Sequence, residues 1–237
     1  MLGYCYDGGI GTNIDELKAF ELYQRAADLG NSNGINNLGC CYENGIVVDD
    51  KQMAFELYQK AADLGNASGM NNLGCCYKNG IIVDADKEMA FKLYQKAAKL
   101  GNDFAQYNLA LMYENGDGIE KNVEKAIYWY EKSAAQGDPD AQKKLKTLKE
   151  INYCGINNLG CCYNNGIGTE VNMQKAFELY KKAAKLGNDF AQYNLALMYE
   201  NGDGTENDMN EAIYWYEKSA EQGDPDAQNK LKFFKNK

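Results

Sequence analysis

The phrase NNLGCCY occurs three times, at Asn36, Asn71 and Asn157, and it belongs to a longer period that runs through the chain. The leucine of L-(G/A)-x-x-Y falls at Leu2, Leu38, Leu73, Leu109, Leu159 and Leu195, with spacings of 36, 35, 36, 50 and 36 residues. A second marker, A-(F/I)-x-x-Y, starts at Ala19, Ala54, Ala90, Ala126, Ala176 and Ala212. The chain is six units of about 36 residues with one irregular join. A period of this length means that each unit is one supersecondary element, stabilised by stacking on its neighbours.

Each unit reads as two helices. Helix A carries Ile35, Leu38, Gly39 and Tyr42, one apolar face at helical spacing. It stops at Asn44-Gly45, because glycine enters the left-handed region without steric cost. Helix B starts after Asp50, and Asp15, Asp86, Asn122, Asn172 and Asp208 hold the same place. All six side chains accept a hydrogen bond from a free backbone N–H, as an N-cap must. Helix B buries Ala54, Phe55, Leu57, Tyr58, Ala61 and Ala62, and Gly65 ends it.

Residues 101–118 recur unchanged at 187–204, an offset of 86. At that offset GDPDAQKKLK maps onto GDPDAQNKLK, so two repeats and a terminal helix have been copied together. The terminal helix carries Lys143, Lys144, Lys146 and Lys149, a polar outer face suited to a cap, with Pro139 at its first turn. The copied cap lies in mid-chain, followed by KEINYCG at Lys149–Gly155, so two A-type helices stand in succession. The join is either an offset in the stack or a hinge. The polarity of the cap favours a break, giving four repeats plus a cap in residues 1–150 and two repeats plus a cap in 151–237. The first helix A is expected to begin at Met1.

The pattern LGxxYxxGxGxxxDxxxAxxxYxKAAxxG resembles the Sel-one-like repeat (SLR), a relative of the tetratricopeptide repeat, over nearly the whole chain. The resemblance implies an all-α, right-handed α-solenoid of six helix-pair repeats, here with two cap helices. It implies a scaffold or adaptor that binds other proteins or peptides, without catalysis and without a cofactor. It also implies that helices A line a concave groove. The residues expected to face it are Asn36, Cys40 and Asn44; Asn71, Cys75 and Asn79; Tyr107, Leu111 and Asn115; Asn157, Cys161 and Asn165; and Tyr193, Leu197 and Asn201. The asparagines carry donors and acceptors for an extended peptide backbone, while Tyr and Leu supply contact area. The duplication makes a bivalent partner the expectation.

Other chemistries fare poorly. There is no histidine in the chain, which removes His-based triads and most zinc sites. The net charge is −9 and no basic patch is visible, which argues against nucleic acid and anionic membrane as partners. No apolar run reaches the roughly 18 residues of a membrane span. The start, MLGYCYDGGI, lacks the basic and apolar parts of a signal peptide, and eight cysteines without a signal read as cytoplasmic thiols.

Cys40, Cys75 and Cys161 are replaced by Leu111 and Leu197 in sister repeats, and Cys5, Cys41, Cys76 and Cys162 by Met112 and Met198. That exchange marks packing positions, with the second set expected to be the more buried. In the cysteine-rich branch of the family the paired cysteines fall at the equivalents of Ala27 with Ile35, or Ala62 with Met70, so this chain departs from it. The loop at Asn115, Asp117, Gly118 and Glu124 has part of a calcium-loop spacing, but Tyr113 stands at the first ligand position, so a turn is expected. Trp129 and Tyr130 occupy core positions of helix B rather than a base-stacking platform. A thiol redox sensor on the same fold, or a fragment of a longer SLR protein, are the alternative readings.

Overall fold

A computed structural model describes residues 2–235. Among the described residues every regular element is an α-helix. The first four helix pairs are α1 (Leu2–Gly8) with α2 (Glu16–Asp28), α3 (Ser32–Glu43) with α4 (Lys51–Asp63), α5 (Ala67–Asn79) with α6 (Lys87–Lys99), and α7 (Asp103–Asn115) with α8 (Val123–Ala135). Then come α9 (Pro139–Asn165), α10 (Met173–Lys185), α11 (Asp189–Asn201), α12 (Met209–Glu221) and the terminal α13 (Pro225–Lys235). The expected helix start at Met1 lies outside the described residues. The chain divides into two compact units, Met1–Leu145 and Lys146–Lys237.

The helices start where capping chemistry dictates. Asp50 Oδ1 accepts from the Met53 amide at 2.9 Å, and Asp15, Asp86, Asn122, Asn172 and Asp208 cap their helices B in the same way. Four helices A have a cap of their own, Asn31, Asn66, Asn102 and Asn188, drawn from the LGN that follows α2, α4, α6 and α10. Asn66 also reaches back one repeat, its Nδ2 donating to Asn33 Oδ1 at 2.6 Å. The cap therefore ties two repeats as well as starting a helix.

The join differs from expectation. In place of a cap helix and a separate helix A, α9 runs unbroken for 27 residues. The segment KEINYCG has no proline, and its one glycine, Gly155, costs a helix interior only about 1 kcal/mol. With strong helix formers on its N-terminal side, that cost does not stop the helix.

Within the first unit each helix B packs on the helix A that follows, α2 on α3, α4 on α5 and α6 on α7. Helices A also touch each other, α3 with α5 and α5 with α7, and no two of that unit's helices B pack to that extent. Helices A therefore form the inner side of that unit. The core is small and regular: Ile35, Leu38, Ala54, Tyr58 and Ala61 are buried, as are Leu73, Leu109, Ala90, Ala126, Tyr94 and Tyr130 at the same places in the next two repeats, while Phe55 and Leu57 are half-buried. Tyr130 is fully buried and Trp129 half-buried.

Candidate partner-binding groove

Every helix B sends one buried tyrosine beneath a helix A: Tyr23, Tyr58, Tyr94, Tyr130, Tyr180 and Tyr216. The ring lies where a side chain after the marker leucine would stand. A Cβ on Gly39 would come within 2.8 Å of Tyr58 Cε1, so glycine there makes room for the ring. The hydroxyl emerges at the inner face. Tyr58 donates to Glu43 Oε2 at 2.6 Å, Tyr130 to Glu114 Oε2 at 2.6 Å, and Tyr216 to Glu200 Oε2 at 2.5 Å. Repeats three and five have Lys78 and Asn164 in place of the glutamate, and there Tyr94 and Tyr180 donate to Cys75 and Cys161 Sγ, both at 3.3 Å. Burial, reinforced by these acceptors, raises the tyrosine pKa values well above the usual phenol range.

The same burial governs the thiols. Cys40 and Cys75 are shifted upward by desolvation, and Cys41 and Cys76 to about 11. At pH 7 a thiol with that pKa is thiolate to about one part in ten thousand, too little for a reactive nucleophile. All eight cysteines are free, and the described residues hold no cluster of three metal-ligating side chains. The turn at Asp117 is held by Lys87, whose Nζ lies 2.6 Å from Asp117 Oδ1 and lowers the carboxyl pKa.

The asparagines expected to face a ligand are spent on the fold. Asn36, Asn71 and Asn157 are buried. Asn108 Nδ2 donates to Asn71 Oδ1 at 3.0 Å, Asn71 to Asn72 at 3.2 Å, Asn72 to Asn36 at 3.0 Å, and Asn36 to Asn37 at 3.1 Å. Asn37 lines one depression with Tyr23, which donates to Asp7 Oδ2 at 3.3 Å. One chain of amides thus stitches α3, α5 and α7 together. In the second unit Asn194 Nδ2 repeats the step to Asn157 Oδ1 at 3.2 Å. These three asparagines are therefore the floor beneath the groove and do not reach its surface. The reason is the asparagine just before the marker leucine of the next repeat, Asn72, Asn108 or Asn194, which reaches back and occupies the acceptor.

The rest of the expected set does reach solvent. Asn44, Asn79, Asn115, Asn165 and Asn201 are exposed, and Cys40, Cys75, Cys161, Tyr107, Tyr193, Leu111 and Leu197 are half-buried. A depression of about 150 Å³ brings Cys40 and Asn44 together with Tyr4, Asp7, Tyr23 and Asn37. Each unit ends in the same cluster. Tyr107 stands edge-on to Tyr130 with centroids 5.6 Å apart, and Lys144 of the cap reaches Glu114 at 3.2 Å. Tyr193, Tyr216, Lys230 and Glu200 repeat it, the lysine at 2.7 Å. In both, tyrosine replaces the ladder asparagine and a cap lysine closes the last carboxylate.

Cys162 and Cys5 depart from the expected burial. Cys41 and Cys76 are buried, but Cys162 and Cys5 are only half-buried, and Cys154 is exposed. The marker leucine of the same repeat, Leu159, is exposed as well. No helix B precedes repeat five in sequence, since the cap residues stand there and run into α9.

The family model described as Sel1 repeat matches residues 1–31, 32–66, 67–102, 103–138, 155–188 and 189–224. The stretches left between and after these matches are the two cap segments. The chain is similar to c5321, a protective antigen of uropathogenic Escherichia coli displaying an SLR fold, with 33% identity and a TM-score of 0.51 over 98% of this chain. It spans 47% of the length of that structure. A Sel1 repeat protein from Oxalobacter formigenes is 30% identical, with 98% of this chain and 74% of that one covered and a TM-score of 0.48. Helicobacter pylori cysteine rich protein B is 29% identical, with 56% and 96% covered and a TM-score of 0.45. No curated protein matches the chain. No described helix is long and apolar enough to cross a membrane.

Proposed function

The chain belongs to the Sel1 repeat family, and from that premise we propose that it is a non-catalytic scaffold binding peptides or proteins along its helix-A face. The observation that carries this reading is the pair of like clusters, Tyr107 with Leu111 and Tyr193 with Leu197, each half-exposed beside exposed Asn115 or Asn201. Aromatic and aliphatic area flanked by solvent-exposed amides is what an extended peptide needs. The buried amide chain beneath keeps the helices in register, so the surface is pre-organised and ligand binding orders little of it. Two such surfaces suit a bivalent partner. Eight free thiols, those of Cys41 and Cys76 buried and protonated, fit a reducing, cytoplasmic setting and a packing role better than a redox sensor.

The test is capture of a partner by the full chain followed by titration against variants. Tyr107→Ala with Tyr193→Ala weakens binding by about tenfold or more, since buried aromatic contacts dominate such interfaces. Glu56→Lys on the outer surface of α4 leaves it unchanged. Isothermal titration with a monovalent peptide of the partner gives two sites per chain. A partner indifferent to both tyrosines and sensitive to helix-B substitutions overturns the reading.

A further inference from the structure

Repeats three and five are related by the 86-residue offset, yet one groove is walled and the other is open. Between α5 and α6, Leu73, Tyr77 and Leu93 line a groove that Gln59, Ala62 and Asp63 of α4 close to about 240 Å³. Between α9 and α10, Leu159, Tyr163 and Leu179 stand in the same places and the depression opens to about 470 Å³. Leu73 is 1% exposed and Leu159 48%. A Cβ on Gly69 would stand 2.7 Å from Ala61 Cβ, while one on Gly155 would meet nothing within 4 Å. The wall absent from the second unit is a helix B.

We propose that this open slot on the second unit docks an amphipathic helix of a partner protein built on the helix-B pattern. The sister repeats define the occupant, because α2, α4 and α6 each cover the equivalent face of the next helix A. Each brings a pair of small residues, such as Ala61 and Ala62, to the crossing. A glycine at position 155 lets a helix approach that closely. Charge selects the occupant further. Two lysines, Lys175 and Lys182, and one glutamate, Glu178, line the slot. In repeat three the covering helix brings Ala62 and the carboxylate of Asp63 to the groove, and α2 ends in the same Ala-Ala-Asp. The partner helix therefore carries paired alanines followed by a carboxylate. This site is separate from the helix-A groove proposed above.

The probe is a fluorescent peptide of residues 51–66 with the substitution Gln52→Lys, its lysine joined to Glu56 by a lactam to hold the helix. Titrated into the full chain, it binds saturably at one site. Gly155→Leu, whose Cβ meets nothing within 4 Å in the folded chain, and Leu159→Asp each weaken binding about tenfold or more. Gly155→Ala leaves it within about twofold, because Ala105 and Ala191 accept a helix B at the same position. Circular dichroism shows the variants folded. Absence of binding, or binding indifferent to Gly155→Leu, overturns the proposal. A concentration-dependent dimer abolished by Gly155→Leu also overturns it, since a second copy of the chain would then fill the slot.

Discussion

Repeat three and repeat five spell the same helix A, NNLGCCY, and bury it differently. In repeat three α4 lies over Leu73, Cys76 and Gly69, and all three are buried. In repeat five Leu159, Cys162 and Gly155 hold the same places and remain exposed or half-exposed. Burial in a stack belongs to the interface between units, so an identical residue can be core in one repeat and surface in another.

The largest test of that contrast is truncation of the marker leucine. Leu73→Ala opens a cavity in a closed core and lowers stability by about 2–5 kcal/mol. Leu159→Ala removes a side chain already half in water and costs about 0.5 kcal/mol or less. Urea unfolding of the two variants measures both. Equal losses would mean that Leu159 is covered in solution.

The glycines should respond with opposite signs. Gly69→Ala drives a methyl group to 2.7 Å from Ala61 and destabilises by about 1–3 kcal/mol. Gly155→Ala meets open space and stabilises by about 0.5–1 kcal/mol through helix propensity. Thermal midpoints of the two variants, compared with the parent, separate the outcomes.

The thiols sharpen the comparison at smaller scale. Burial shifts Cys76 to about 11, and the side chain is reached only when the structure opens. Native alkylation read by mass spectrometry should modify Cys162 about tenfold faster than Cys76, equivalent to about 1.4 kcal/mol of opening. The pH dependence has a defined sign. Because folding raises the Cys76 pKa, its contribution to stability is whole below the unfolded value of about 8.5 and declines as pH rises towards 11. Cys76→Met, which copies Met112, removes that part of the alkaline loss.

A last contrast between the two repeats lies in the loops. Ile82 has φ +70°, a left-handed conformation that β-branched residues avoid, and Gly168 occupies the same place in repeat five with the same angle. Ile82→Gly relieves strain of about 1–3 kcal/mol and gives part of it back as unfolded-chain entropy, leaving a net gain of about 1 kcal/mol. A drop in the unfolding midpoint would show that the isoleucine side chain contributes more than its backbone costs.

These contrasts also mark what the sequence can tell. Caps and stops were legible because Asp50 or Gly65 acts on its own neighbours within a few residues. The helix pairs followed from the apolar spacing around Leu38 and Tyr58. The join was not legible. A polar cap followed by KEINYCG reads as an interruption, yet no residue in it breaks a helix strongly enough, and α9 continues to Asn165. The role of Asn36, Asn71 and Asn157 was hidden for another reason. Their partners stand 36 or 37 residues away, so a side chain that reads as a ligand donor is already bonded to the neighbouring unit. The recurrence of an asparagine just before the marker leucine, at Asn72, Asn108 and Asn194, was the available signal.

The amide chain from Asn108 to Asn37 has a direction. Each amide passes its donor on to the next, from Asn108 through Asn71, Asn72 and Asn36 to Asn37, so the line runs from repeat four back to repeat two and the small dipoles follow one sense along it. The line has a positive end at Asn37, and the Asp7 carboxylate, held by Tyr23, stands beside it. It behaves as a helix macrodipole built from side chains and laid across helices instead of along one. Any further repeat carrying NN lengthens this polarised line without reversing it, and a charge introduced at one end is felt by every unit it threads.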